Sequence, residues 1–225
     1  MTVSTTSAAV EDYLKAVYAL ESKDQIVPVS VSALAARLRV TPASVSGMVA
    51  RLAKEGLVEH ARYEGVRLTD EGRQLALAVV RRHRLLETLL VEDLGMSWDE
   101  VHAEADALEH VVSDHLLEHI AAKLGEPTRD PHGDPIPSAQ FELADEVTQV
   151  LDELPMGARG RLVRVLGAEP ELLSYLDERG IGLGDELEVL GLEPFGGPLR
   201  VLVRGQERSL GRLAAQALAV EEVTR

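Results

Sequence analysis

VSALAARLRVTPASVSGMVARLAKEGLVEHARYEGVRLT, residues 31–69, decides the fold. Apolar residues recur at helical spacing over Val31–Leu38, opened by Ser30 or Ser32 as cap. Thr41-Pro42 opens a longer run, Ala43 to Glu55, and Gly56 stops it. Short helix, tight turn at Arg39-Val40-Thr41, longer helix: this is the order of a helix-turn-helix. Directly behind it Leu57-Val58-Glu59-His60 and Val66-Arg67-Leu68-Thr69 flank Tyr63-Glu64-Gly65, as in a two-stranded hairpin. A hairpin in that place is the wing of a winged helix.

The longer helix divides by face. Val45, Met48, Val49 and Leu52 are expected inside, while Thr41, Pro42, Ser44, Ser46 and Gly47 mark its exposed N-terminal end. Small residues there can approach base edges and phosphates closely. Arg51, Lys54, Arg62 and Arg67 would supply phosphate contacts. The alternative reading of the same spacing is a three-helix packing module with no DNA role.

Charge separates this region from the rest. The whole chain of 225 residues has a net charge of −15, yet residues 1–74 hold nine Lys/Arg against nine Asp/Glu. Residues 75–141 hold five against thirteen, and residues 142–225 nine against sixteen. An overall acidic chain argues against nucleic acid, but a neutral N-terminal block can still present a basic face. There is no cysteine, so disulfides and thiolate metal sites are excluded. No basic leader precedes an apolar run, and no segment approaches the roughly 20 apolar residues that span a bilayer. The expected location is cytoplasmic, with no membrane partner.

Upstream, residues 8–22 form one more helix by apolar spacing. Downstream, Thr69-Asp70-Glu71-Gly72 caps a long helix through Leu90, a second begins near Ser97, and a third runs past Ser113 to Lys123. Five of the seven histidines fall between positions 83 and 119. Helical spacing stacks His102, Asp106, Glu109 and His110 along one stripe, and His83 and Glu87 stand four apart on the preceding helix. The clustering points to a metal site; the alternative for any one such pair is a solvated helix face. His115, His119 and His132 are read as surface or core. The leucines and valines of this block exceed what a lone helical hairpin buries, which implies a homodimer.

Four prolines and a glycine over Glu126–Ser138 read as a linker, Gln140–Leu154 as a helix, and short apolar alternations beyond Arg159, around a helix at Glu169–Glu178, as a small SH3-like β-barrel. The expected class is α+β, mainly α, with three parts: a winged helix-turn-helix over 1–74, a helical dimerisation and metal-binding domain over 75–141, and a linker helix with an SH3-like (FeoA-like) domain over 142–225.

Four landmarks, Glu11-Asp12-Tyr13-Leu14, Arg82-His83-Arg84-Leu85-Leu86-Glu87, Val101-His102 through Glu109-His110, and Gly133-Asp134-Pro135-Ile136-Pro137, occur in the order that resembles the diphtheria-toxin-repressor family of metal-dependent transcriptional regulators. The resemblance covers essentially the whole chain. It implies a primary, activating metal site of Asp12, Asp106, Glu109 and His110, and an ancillary site of His83, Glu87 and His102. Members with a C-terminal barrel add ligands from the segment matching Ala168-Glu169-Pro170-Glu171: Glu171 matches, Ala168 cannot coordinate through its side chain, and Glu169 is a substitute. Lys15 stands where some manganese-responsive relatives carry a carboxylate that helps build a two-metal centre, an arrangement a lysine disfavours.

Iron-responsive relatives place methionine and cysteine where this chain has Asp12 and Asp106, so hard carboxylates favour Mn(2+), with Fe(2+) as the alternative. The function implied is a metal-activated repressor of metal-homeostasis genes that binds double-stranded DNA at a palindromic operator as a homodimer. It is not an enzyme and takes no small organic substrate. Two rivals are a metal-dependent hydrolase, against which no HExxH or glycine-rich phosphate loop occurs, and a winged-helix regulator sensing an organic ligand.

Overall fold

Ser30 and Thr41 each cap a helix: their hydroxyls accept the N–H groups of Ala33 (3.1 Å) and Ser44 (3.2 Å). The structure, a computed structural model, describes residues 7–24, 28–61, 65–143, 148–167 and 169–223. Its elements begin α1 (Ala8–Asp24), α2 (Val31–Leu38), α3 (Pro42–Lys54), β1 (Val58–Ala61), β2 (Gly65–Leu68), α4 (Asp70–Glu92), α5 (Val101–Leu108) and α6 (Asp114–Lys123). They continue β3 (Gln149–Val150), β4 (Arg159–Val165), α7 (Pro170–Asp177), β5 (Glu186–Leu192), β6 (Leu199–Val203), β7 (Gln206–Leu210), α8 (Arg212–Gln216) and β8 (Leu218–Glu222).

The chain divides into two compact units, one of residues 1–83, 106–117 and 137–142, the other of 84–105, 118–136 and 143–225. In the first, α2 ends at Arg39, which takes a left-handed conformation and turns the chain into α3. Val45, Val49 and Leu52 of α3 are fully buried beside Leu34 of α2 and Leu14 and Val17 of α1. β1 and β2 pair antiparallel, Val58 opposite Leu68, and an isolated bridge joins Val29 to Val66. This is the expected winged helix-turn-helix. Gly72 must be glycine, since a Cβ there would lie 1.9 Å from the Leu57 carbonyl oxygen.

In the second unit the strands form one antiparallel sheet in the order β3-β8-β4-β5-β6-β7. Register shifts at Leu162/Arg164 and Val189/Gly191 bend it around a core that includes Leu162, Leu187, Val201, Leu218 and, from α7, Leu173 and Leu176. The fold is SH3-like, but among the described residues β3 and β7 do not pair, so the expected β-barrel is an open sheet.

Two expectations are corrected. Gln140–Leu154 is not a helix among the described residues: Gln149–Val150 is a strand on β8, and a single 3-10 turn, Leu151–Glu153, follows it. Leu151 and Leu154 keep helix-like spacing because that turn drops both into the sheet's core. Nor is Glu126–Ser138 a solvated linker. Asp130, His132 and Ile136 are buried, Arg129 bridges Pro135, and Val165 of β4 donates its N–H to the His132 carbonyl at 2.9 Å. Gly133 permits this approach: its φ is +86°, and a Cβ would stand 2.0 Å from the Val163 carbonyl oxygen.

Candidate metal centres and DNA-binding surface

On α1, Glu11, Asp12 and Lys15 lie three and four residues apart and share one face. Within the first unit that face meets the end of α5 and the turn after it, which carry Asp106, Glu109 and His110. Donor atoms of Asp12, Glu109 and His110 all lie within 4.8 Å of one another. His110 Nε2 is 2.8 Å from Asp12 Oδ1 and 3.5 Å from Glu109 Oε1. Such separations suit neighbouring donors around a divalent ion with ligand distances of about 2.1–2.5 Å, and the donors are the hard oxygens and imidazole such an ion takes. The residues fit the cation that the sequence implies.

The remaining atoms of the cluster are satisfied from behind. His110 Nδ1 donates to Glu11 Oε2 at 2.6 Å, and Arg82 holds the other Glu11 oxygen at 2.9 Å. Burial alone would lower the His110 pKa, but the carboxylates of Glu11, Glu109 and Asp12 outweigh it and raise it. Both ring nitrogens face carboxylate oxygens, Nδ1 that of Glu11 and Nε2 that of Asp12. Glu109, almost wholly buried, also accepts from His83 Nδ1 at 2.6 Å and from Lys15. Lys15 Nζ donates to Asp106 Oδ1 at 2.9 Å and to both Glu109 oxygens, at 3.0 and 2.7 Å.

The second unit holds another group: Glu87, Asp130 and His132 are all buried, with donor atoms within 4.8 Å. His102 Nδ1 lies 3.1 Å from Glu87 Oε1, and His132 Nδ1 3.7 Å from Glu87 Oε2. Burial opposes charge on His132, but the hydrogen bond and charge of Glu87, with Asp130 and the Trp98 carbonyl, push its pKa up to about 9. For Asp130, burial and the charges of Asp134 and Glu87 prevail over Arg84 and His132, pushing it up to about 7. The sequence marks His132 only as surface or core and singles out neither it nor Asp130, because the RDPHGDPIP stretch that holds both carries no helical or strand periodicity. Of the residues expected in an ancillary site, Glu87 and His102 are brought together here. His83 lies in the first unit, on Glu109. Glu169 and Glu171 stand exposed at the start of α7 and belong to none of the potential metal-binding groups among the described residues.

On α3, Thr41, Pro42, Ser44, Ser46, Gly47, Arg51 and Lys54 are exposed, as is Arg67 on β2; Arg62 and the wing tip lie outside the described residues. Met48 is half-buried rather than fully inside. Ser46 Oγ donates to the Pro42 carbonyl at 2.9 Å, and Arg51 pairs with Glu55 at 2.8 Å. A Cβ on Gly47 would meet nothing within 4 Å, so internal packing does not require glycine there.

A winged helix, acid–imidazole clusters and an SH3-like sheet together define a class, the metal-dependent transcriptional regulator. Family profiles agree: "Iron dependent repressor, N-terminal DNA binding domain" matches residues 5–66, "Iron dependent repressor, metal binding and dimerisation domain" 69–138, and "FeoA domain" 149–222. The diphtheria toxin repressor of Corynebacterium efficiens is 35% identical over 224 residues, 95% of each chain. The iron-dependent repressor IdeR of Mycobacterium tuberculosis (strain H37Rv) is 34% identical over 186 residues, 76% of this chain and 80% of that one. A solved manganese-dependent transcriptional repressor in complex with manganese superposes with a TM-score of 0.89 at 43% identity, covering 95% of this chain and all of that one. The chain belongs to the diphtheria-toxin-repressor family of metal-dependent, DNA-binding transcriptional repressors, which are not enzymes. No helix among the described residues is long and apolar enough to cross a membrane.

Proposed function

We propose that this protein is a manganese-activated repressor of metal-homeostasis genes, acting in the cytoplasm as a homodimer on a palindromic operator. The observation that carries the reading is the gathering of Asp12 of α1 with Glu109 and His110 around one point. Asp12, Asp106, Glu109 and His110 would hold the activating cation. Glu87, Asp130 and His132, with His102 beside them, would hold a second. The donors are carboxylates and imidazoles with no sulfur, which favours Mn(2+); the 43%-identical manganese-bound repressor supports that choice. Exposed Leu108, Val111 and Leu116 offer apolar surface for the dimer.

Bound, the cation supplies the positive charge that offsets Asp12, Asp106 and Glu109. The chain's own residues carry the effect onward. Asp12 ties α1 to residues 106–110, and α1 packs on α2 and β2. Buried Glu21 of α1 accepts the Leu68 N–H at 2.9 Å and pairs with Arg73 at 2.6 Å, so a shift of α1 reaches the wing. Fixing α1 thereby fixes the recognition helices of a dimer at the spacing an operator demands.

Titration of chelator-treated protein with Mn(2+) and, anaerobically, Fe(2+), on genomic fragments selected by the protein itself, tests this reading. Manganese is expected to switch DNA binding on at the lower free concentration. Equal or better activation by iron transfers the protein to the iron-responsive alternative, and binding indifferent to both metals rejects metal activation.

A further inference from the structure

Lys15 lies inside the primary cluster rather than beside it. Its ammonium contacts both oxygens of Glu109 and one of Asp106, and lies 2.9 Å from His83 Nδ1. Glu109 is nearly inaccessible to water, while the Lys15 side chain retains 18% of its exposure. A buried carboxylate must be paired, and Lys15 with His83 does the pairing. The same Glu109 carboxylate is proposed to hold the activating cation, and two positive charges close to one carboxylate repel.

We infer that Lys15 is a tethered counter-ion of the primary site. It holds Asp106 and Glu109 together in the metal-free protein and is displaced from Glu109 when a divalent cation enters. The inference rests on the reading of Asp12, Asp106, Glu109 and His110 as a cation site. Lys15 then has two opposite effects: it stabilises the metal-free fold and weakens cation affinity, raising the metal concentration at which the protein responds. The stem of Lys15 emerges from α1 three residues after Asp12, so withdrawal of the ammonium needs only side-chain rotation toward the solvent it already touches.

Full-length Lys15→Met, which keeps the stem and loses the charge, and Lys15→Arg, which keeps the charge, test it by Mn(2+) titration calorimetry and by thermal unfolding after chelation. Lys15→Met is expected to bind manganese about tenfold or more tighter, to melt lower without metal, and to gain more on metal addition than wild type. Lys15→Arg is expected to stay near wild type. Unchanged or weaker affinity in Lys15→Met overturns the inference. Should Lys15→Met fail to fold, reductive methylation of the wild type decides: Lys15 is expected to react faster after manganese loading, and an unchanged or slower reaction overturns the inference. Glu109→Gln separates the two levels. If it binds manganese as wild type does, the site assignment fails and Lys15 falls with it; if it loses binding while Lys15→Met is unaltered, only the role of Lys15 fails.

Discussion

His132 and Asp130 make the metal-free protein sensitive to pH. The folded pKa of His132 is raised from 6.5 to about 9, so its stabilising contribution is full below 6.5 and is lost as pH rises through about 9. Asp130, raised from 3.8 to about 7, acts with the same sign at lower pH, because the folded protein again binds the proton more tightly than the unfolded chain. Thermal melts of chelator-treated protein are expected to fall between about pH 6 and pH 9, and His132→Gln to flatten that fall; an identical slope in the variant contradicts the assignment. Glu11 is the other residue whose effect is specific. It fixes the His110 ring by accepting from Nδ1, so Glu11→Gln is expected to weaken manganese binding by on the order of tenfold, measured by calorimetry. Unchanged affinity would show that His110 needs no such orientation. Asp106, Glu109 and His110 could be singled out in the sequence because helical spacing and the family landmarks coincide on them, and Asp12 through its family landmark alone. His132 could not: it lies in a proline-rich stretch that carries no periodicity, and its burial depends on Gly133 docking against Val163.

At the scale of elements, α3 was the most legible part of the chain. Its apolar positions repeat with one face, and Thr41-Pro42 starts the helix where cap chemistry demands. Thr41→Ala is expected to cost about 1 kcal/mol of stability by thermal or denaturant unfolding. A cost near zero would mean that Pro42 alone sets the helix start. Gly47 separates packing from DNA contact: nothing surrounds it, so Gly47→Glu is expected to leave the melting temperature unchanged or raised while DNA binding falls strongly in a fluorescence-anisotropy titration. Retained DNA binding would remove this face of α3 from the interface. The C-terminal strands were harder to read. β7 is an edge strand, Gln206-Glu207-Arg208-Ser209-Leu210, with only Leu210 fully buried, so no alternation announces it. The segment before β4 misleads in the other direction, because Leu151 and Leu154 imitate a helix while serving one 3-10 turn beside a two-residue strand.

Across the whole molecule the charge distribution makes sense of an acidic DNA-binding protein. The winged-helix third is neutral and exposes Arg51, Lys54 and Arg67 on its surface, while the carboxylates gather where cations are proposed to bind. On the proposed mechanism, metal dependence arises because α1 belongs to two structures at once: its Asp12 end to the acid–imidazole cluster, its Glu21 end to the wing. The most direct measurement is operator binding by wild type and Asp12→Ala, each chelated and then titrated with Mn(2+), with folding monitored by circular dichroism. The account predicts that wild type gains DNA binding steeply with manganese, and that Asp12→Ala stays folded yet remains weak at every manganese concentration. An Asp12→Ala protein that binds the operator with the wild-type manganese dependence contradicts it.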